Sequence, residues 1–286
     1  MIKLSYMPRM DDRMVIKMEA INNIINKKYK YTSLEYIDEE DIKDAKVIHQ
    51  DENSVFLYKE MEDKVELFWG ADSKEGFTQG LNCFESLIEE NKISGKRIYI
   101  KFIPEEFISY LEKKGFKVIA EFVDFWNRDI ETISINEYDT SNIRRLKEGE
   151  YSLAGQITRN CIGYSREFTG EDDEWIKEWN ESSNSSIFIA EKEGKMTGIC
   201  CVNLYGFESD KGIILWIREI AVDPQYQGQG IGRSLLTYAI KWGRENGAKR
   251  SFLACDAENY SGIKLYESLG YVRAEGRGEI RMQKTL

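Results

Sequence analysis

The chain has 286 residues, a length that suits about two domains of ordinary size. Hydrophobic residues make up 42% and aromatics 12%, enough for packed cores, which excludes a chain disordered throughout. The net charge of -10 excludes a general electrostatic grip on nucleic acid or an anionic membrane, and it is compatible with a cationic substrate. The start, Met1-Ile2-Lys3-Leu4-Ser5-Tyr6-Met7-Pro8, has no signal-peptide core, and no later window approaches the roughly 18 apolar residues of a membrane span. A cytoplasmic location is the expectation.

In chain order, Ser54–Glu60 and Lys64–Trp69 predict a β-hairpin and Phe77–Asn91 a helix. Arg97–Phe102 follows as a strand, Glu105–Lys114 as a helix closed by Gly115, and Phe116–Trp126 as another strand. The polar run Asn136-Glu137-Tyr138-Asp139-Thr140-Ser141-Asn142 is the expected joint, which gives domains 1–135 and 136–286. Ser186–Glu191 and Met196–Phe207 predict a second hairpin about Glu193-Gly194, and Gly212–Val222 a buried strand. Gly232–Asn246 reads as a helix with Leu235, Leu236, Ala239, Ile240 and Trp242 apolar, closed by Gly247. Arg250–Asp256 is a strand, Ser261–Leu269 a short helix stopped by Gly270, and a last strand starts at Tyr271. The halves follow one order of elements, and Leu111-Glu112-Lys113-Lys114-Gly115-Phe116 parallels Tyr266-Glu267-Ser268-Leu269-Gly270-Tyr271. An α/β chain with an internal duplication is the reading.

The five cysteines, Cys83, Cys161, Cys200, Cys201 and Cys255, form no CxxC pair, so buried free thiols are expected rather than a disulfide framework or zinc site. The one histidine, His49, sits in a polar stretch and reads as a surface residue. The acidic runs Glu39-Glu40-Asp41 and Glu171-Asp172-Asp173 read as solvated faces and helix starts. The second precedes Trp175, Ile176 and Trp179, which suits a helix that lips a cleft.

The segment richest in chemistry is Ala221-Val222-Asp223-Pro224-Gln225-Tyr226-Gln227-Gly228-Gln229-Gly230-Ile231-Gly232-Arg233. A buried strand runs into a glycine-rich turn that opens a helix. Glycines let the backbone approach a ligand, and the first N–H groups of a helix, with its dipole behind them, favour an anion such as a pyrophosphate. Arg233 adds a positive charge. A dinucleotide fold wants G-x-G-x-x-G, whereas these glycines fall as G-x-G-x-G, although Asp256 imitates that fold's ribose-binding acid. No Gly-Lys-Ser/Thr closes the run as in a nucleotide P-loop.

The segment resembles motif A of the GNAT superfamily of acyl-CoA N-acyltransferases, Q/R-x-x-G-x-G/A, with Gln227, Gly230 and Gly232 at the three fixed positions. Downstream, Asn259, Tyr266 and Gly270-Tyr271 match its motif B in order and spacing, so the close resemblance covers about Leu215–Met282. In the first half Gln79-Gly80 stands near where a glycine loop would fall, but no Q-x-x-G-x-G is present and Leu111 takes the place of Tyr266. The resemblance implies a mixed-sheet GNAT-like fold in two halves, the first degenerate. It also implies acetyl-CoA as co-substrate, an amine as acceptor, and no metal. Gln227, Gly228, Gln229, Gly230, Ile231, Gly232 and Arg233 would then bind the pyrophosphate. Ile220, Ala221 and Val222 would pair with the pantetheine arm like an added strand, and Asn259 would touch that arm. Tyr266 would protonate the departing thiolate, while as a residue three after Ile263 and three before Leu269 it is equally placed as a core aromatic. Glu219 is the nearest carboxylate to act as base; strand alternation sends it and Arg218 to opposite faces. A non-catalytic acyl-CoA-binding module is the rival reading, and neither the acceptor nor the oligomeric state is legible.

Overall fold

The computed structural model describes residues 23–24, 26–37, 39–42, 44–90, 95–135 and 138–286. Asn136 and Glu137 of the expected joint lie outside them. The elements in order are β1 (Tyr31–Thr32), α1 (Glu39–Ile42), β2 (Lys46–Gln50), β3 (Ser54–Glu60), β4 (Lys64–Ala71), α2 (Lys74–Glu89), β5 (Arg97–Ile100), α3 (Glu105–Lys113) and β6 (Lys117–Asn127). Then come β7 (Ile143–Arg145), α4 (Tyr151–Asn160), α5 (Asp173–Glu181), β8 (Ser185–Lys192), β9 (Lys195–Tyr205) and β10 (Ile213–Val222). The chain closes with α6 (Ile231–Glu245), β11 (Ala248–Asp256), α7 (Tyr260–Ser268), β12 (Val272–Arg273) and β13 (Glu279–Thr285).

Two compact units interleave along the chain, where the sequence suggested one cut near residue 135. The first holds the described residues up to Ile119 together with Glu279–Leu286, and the second is Ala120–Gly278. Strand pairing decides this. Within the second unit β6 lies antiparallel to β11, from Ser251 opposite Asn127 to Asp256 opposite Phe122. Within the first, β13 lies antiparallel to β5, with Met282 opposite Ile100. A single last strand from Tyr271 is therefore not what forms. The stretch yields the two-residue β12 and then β13, separated by a turn in which a Cβ on Gly278 would stand 1.8 Å from the Phe122 carbonyl oxygen.

In the first unit the strand order is β2-β3-β4-β5-β13, with β4 and β5 parallel across the α2 crossover. Phe56, Trp69, Phe77 and Phe107 fill its core in tilted and edge-on contacts. Gly80 lies inside α2, not in a loop: a Cβ there would strike the Phe56 ring at 2.0 Å, so its smallness lets α2 sit close on the sheet. The C-terminal edge of β4 is filled by the unit's own chain. β1 pairs with Gly70 and Ala71, the Ser33 N–H donates to the Trp69 carbonyl at 2.8 Å, and the Trp69 N–H donates to Ser33 Oγ at 3.0 Å.

In the second unit the order is β7-β8-β9-β10-β11-β6. The β8–β9 hairpin turns at Glu193 and Gly194, both with positive φ (52° and 72°), the twist a two-residue hairpin needs. Alternation along β8 and β9 builds a core on each face. Phe188, Ala190, Cys200 and Val202 pack with Leu235, Leu236, Ala239 and Ile240 of α6, while Ile187, Ile189, Ile199 and Cys201 pack with Ala154, Ile157 and Ile176 of α4 and α5.

Candidate active site

The site begins where two parallel strands part. β10 pairs with β11 from Ile213 to Trp216 only, yet β10 runs on to Val222 and β11 to Asp256. From Ile217 onward β10 is held only on its other side, by β9. An irregularity in that pairing between Ile217 and Glu219 marks the start of the divergence. The opened edge of β10 leads directly to the glycine turn.

At the turn, Pro224 opens a single 3-10 turn, Pro224–Tyr226, capped by the Asp223 side chain, which accepts from the Gln225 N–H at 3.0 Å. Asn160 Nδ2 holds the other Asp223 oxygen at 2.7 Å, so α4 braces the loop. Gly228 and Gly230 have φ of 73° and 84°, the left-handed region that glycine adopts without strain. Gly230 caps α6 and brings no side-chain acceptor, which leaves the first-turn N–H groups directed outward. A Cβ built at Gly228 or Gly230 meets no atom within 4 Å, so the turn faces open space at both glycines. Gly232 sits against Leu265 of α7.

Tyr266 is buried in the core on the α6 face, its ring 6.0 Å from Phe125 and 6.4 Å from Tyr271. Burial first, and then the nearby acidic groups Cys255 and Glu219, push its hydroxyl well above the ordinary phenol range. Glu219 keeps only 15% of its side chain exposed; burial pushes it up to about 7, with Arg218 opposing and Glu171 adding to the rise. The expectation that Arg218 and Glu219 face opposite ways fails because the irregularity between Ile217 and Glu219 breaks the alternation. Arg218 Nη1 approaches Glu219 Oε2 at 4.0 Å, and Arg218 Nη2 lies 3.5 Å from Glu171 Oε1. The Arg218 guanidinium lies 5.4 Å over Trp175 and 6.0 Å over Trp216.

Residues 153–271 match the model of the acetyltransferase (GNAT) family. An uncharacterized N-acetyltransferase of Methanocaldococcus jannaschii is 30% identical over 115 residues, 39% of this chain and 51% of that protein. The [ribosomal protein bS18]-alanine N-acetyltransferase of Escherichia coli is 47% identical over 55 residues, 19% of this chain and 37% of that one. The chain thus spans about half or less of these relatives' lengths. A GCN5-related N-acetyltransferase from Sphaerobacter thermophilus superposes with a TM-score of 0.59 at 13% identity, over 95% of this chain and 91% of the other, which shows the fold. The second unit carries a GNAT domain.

Within the GNAT domain the motif residues fall in two groups. Ile220, Ala221 and Val222 form the end of the opened β10 edge, and Gln227 to Arg233 form the turn and first helical residues beyond it. Gln227 Nε2 donates to the Val222 carbonyl at 3.0 Å, and the Ile220 N–H donates to Glu219 Oε1 at 2.9 Å. Arg233 has a partner of its own, since its Nη1 donates to the Tyr138 hydroxyl at 3.3 Å and its guanidinium lies 5.1 Å over that ring. Asn259 caps α7, accepting from the Gly262 N–H at 3.0 Å. Asp256 does not stand free as a ribose acid: Arg166 Nη2 holds it at 2.6 Å and the Arg166 N–H at 2.8 Å.

Three features of the GNAT domain escaped the sequence reading. Lys192, at the end of β8, donates to Gln229 Oε1 at 2.5 Å and brings a second cation to the glycine turn. The Arg166–Asp256 pair ties the α4–α5 connection to the end of β11. In the run Glu171-Asp172-Asp173, Asp172 is the α5 cap as expected, accepting from the Trp175 N–H at 2.8 Å. Glu171 instead turns inward, with 17% of its side chain exposed, and burial raises its pKa. All three depend on residues distant in sequence, and no local signal marks them. Among the described residues no group suited to a metal ion occurs, and no helix is long and apolar enough to cross a membrane.

Proposed function

We propose that the chain is an acyl-CoA-dependent N-acyltransferase that moves an acetyl group from acetyl-CoA to a primary amine by direct attack. The observation that carries the reading is the parting of β10 from β11 after Trp216, which opens a strand edge that runs straight into the Gln227–Arg233 turn. An extended polar arm suits the edge and a pyrophosphate suits the turn. Gln227, Gly228, Gln229, Gly230, Ile231 and Gly232 hold the phosphates through their N–H groups, with Arg233 and Lys192 beside them. Ile220 to Val222 present the strand edge, and Asn259 the start of α7 beside it. Acetyl-CoA supplies the acyl group already activated as a thioester.

Tyr266 is the proton donor to the leaving sulfur. A phenol and an alkyl thiol ordinarily have similar acidities, so a proton can pass between them. Glu219, poised near neutrality, takes the proton that the attacking ammonium must lose. The inward-turned Glu171, paired with Arg218 at 3.5 Å, lies near Glu219 and adds to the rise in its pKa.

The first unit reads as a degenerate second copy that binds no coenzyme A. It repeats the hairpin, helix, strand and helix order, but β1 and Ser33 take the β4 edge, and the α2 start is filled by Ser73 Oγ, which accepts from the Gly76 N–H at 3.2 Å. Titration calorimetry should therefore give one coenzyme A per chain. A panel of small amines, polyamines, aminoglycosides and peptide N-termini, followed by thiol release from acetyl-CoA, should reveal an acceptor. Coenzyme A binding with no amine raising thiol release above the amine-free rate would make the domain a non-catalytic acyl-CoA sensor.

A further inference from the structure

The first unit holds a constellation that acyl transfer does not use. Of the five free cysteines, Cys161, Cys200, Cys201 and Cys255 are buried in the second unit. Cys83 differs. It is partly exposed on α2 and lines an open depression of about 580 Å³, together with Lys74, Glu75, Thr78, Gln79, Asn82 and Ser86. Its Sγ lies 3.9 Å from His49 Nδ1 on β2.

His49 is not the surface residue that its polar neighbours suggest. Only 12% of its side chain is exposed, because it packs between the β2–β3 connection and α2. Its Nε2 lies 2.9 Å from Ser54 Oγ and 3.2 Å from Asp51 Oδ2. The network fixes the tautomer. The Ser54 hydroxyl donates to Asp51 Oδ1 at 3.1 Å, and Asp51 Oδ1 also accepts from the Asn53 and Ser54 N–H groups at 2.8 and 2.7 Å. Those N–H groups hold Asp51 below the usual carboxylate range, so it stays charged. Ser54 Oγ and Asp51 Oδ2 are thus acceptors for a proton on Nε2, which leaves the Nδ1 lone pair facing Cys83.

We infer that Cys83 is a reactive-thiol site, with His49 as its base and Asp51 and Ser54 as the groups that orient the base. The reaction it suits is thiol–disulfide exchange with a low-molecular-weight disulfide. The Cys83 S–H proton passes to His49 Nδ1, and the thiolate attacks one sulfur of the reagent. The reagent's S–S bond breaks as the Cys83–S bond forms. The departing thiolate leaves with the electron pair and is protonated by solvent or by His49. One disulfide is consumed and one is made, so no further oxidant is needed, and the open depression has room for the adduct.

The test is intact-mass and peptide mass spectrometry of the full chain treated with oxidised glutathione at neutral pH, with the rate followed by quenching. One adduct should form, on Cys83, and Cys83→Ser should abolish it. His49→Asn and Asp51→Asn should each slow the reaction by about ten-fold or more while thermal melts show the fold retained. His49→Gln, which keeps a polar group but no base, should be as slow as His49→Asn. Wild-type rates in folded His49→Asn and Asp51→Asn variants would overturn the proposal, since Cys83 would then be an ordinary exposed thiol. So would a first adduct on any other cysteine.

Discussion

Glu219→Gln separates electrostatics from packing at the proposed site, and its magnitude follows from the structure. Burial lifts the Glu219 carboxyl from 4.5 to about 7. Each tenfold change in proton affinity is worth about 1.4 kcal/mol, so keeping this group charged in the fold costs about 3 kcal/mol relative to the unfolded chain. The sign follows from the direction of the shift. A carboxyl with a raised pKa in the fold favours folding when protonated, fully so below about pH 4.5, and that contribution is lost as the pH rises through about 7. Gln is neutral at every pH and has nearly the same shape. The stability of the Gln variant minus that of wild type should therefore rise by about 3 kcal/mol between pH 4.5 and 8.5, most steeply between 5 and 7. Denaturant unfolding of both proteins at half-unit pH steps measures this, and taking the difference removes the titration of all other groups. Once an acceptor is known, the same variant should lose the rise in kcat with pH near 7. A flat difference would show that the carboxylate is solvated as charged, and it would remove Glu219 from the role of base.

Tyr266→Phe should lower kcat by about 100-fold or more and leave acetyl-CoA affinity nearly unchanged, because only a transition-state proton is lost; wild-type turnover in steady-state assays would return Tyr266 to the core. Gly230→Asp places a side chain and a negative charge at φ 84°, at the mouth of the cradle, and should abolish the coenzyme A-induced rise in melting temperature; undiminished affinity by calorimetry would exclude the turn as the phosphate site. Arg166→Ala leaves Asp256, 3% exposed, without its ion-pair partner and should cost about 3 kcal/mol in denaturant unfolding; a loss under about 0.5 kcal/mol, the size usual for a surface pair, would mean that solvent reaches Asp256.

Much of this protein was legible in the order of its residues. Hydrophobic patterning located β3, β4, β8, β9 and β10 within a few residues, by period-two alternation in β8 and by an unbroken apolar, β-branched run in β10, the mark of a strand covered on both faces. The glycines at 228 and 230 announced the α6 start, because residues with φ of 73° and 84° are costly for any other side chain. The motif from Gln227 to Gly232 and the run from Asn259 to Tyr271 lie within single turns and helices, where spacing along the chain is spacing in space. The tertiary structure decided whatever joins distant segments. Partnering in the sheet, a property of no single strand, assigned β6 to β11 and β13 to β5. It also seated β1 on the β4 edge, where an extended ligand would otherwise fit, which no motif in the first half foretold. The break in β10 at Ile217 turned Arg218 and Glu219 toward a common neighbour, against the alternation that a regular strand would impose. Glu171, Lys192, Arg166 and His49 acquired their partners only through folding, because burial and charge pairing depend on which chains pass nearby.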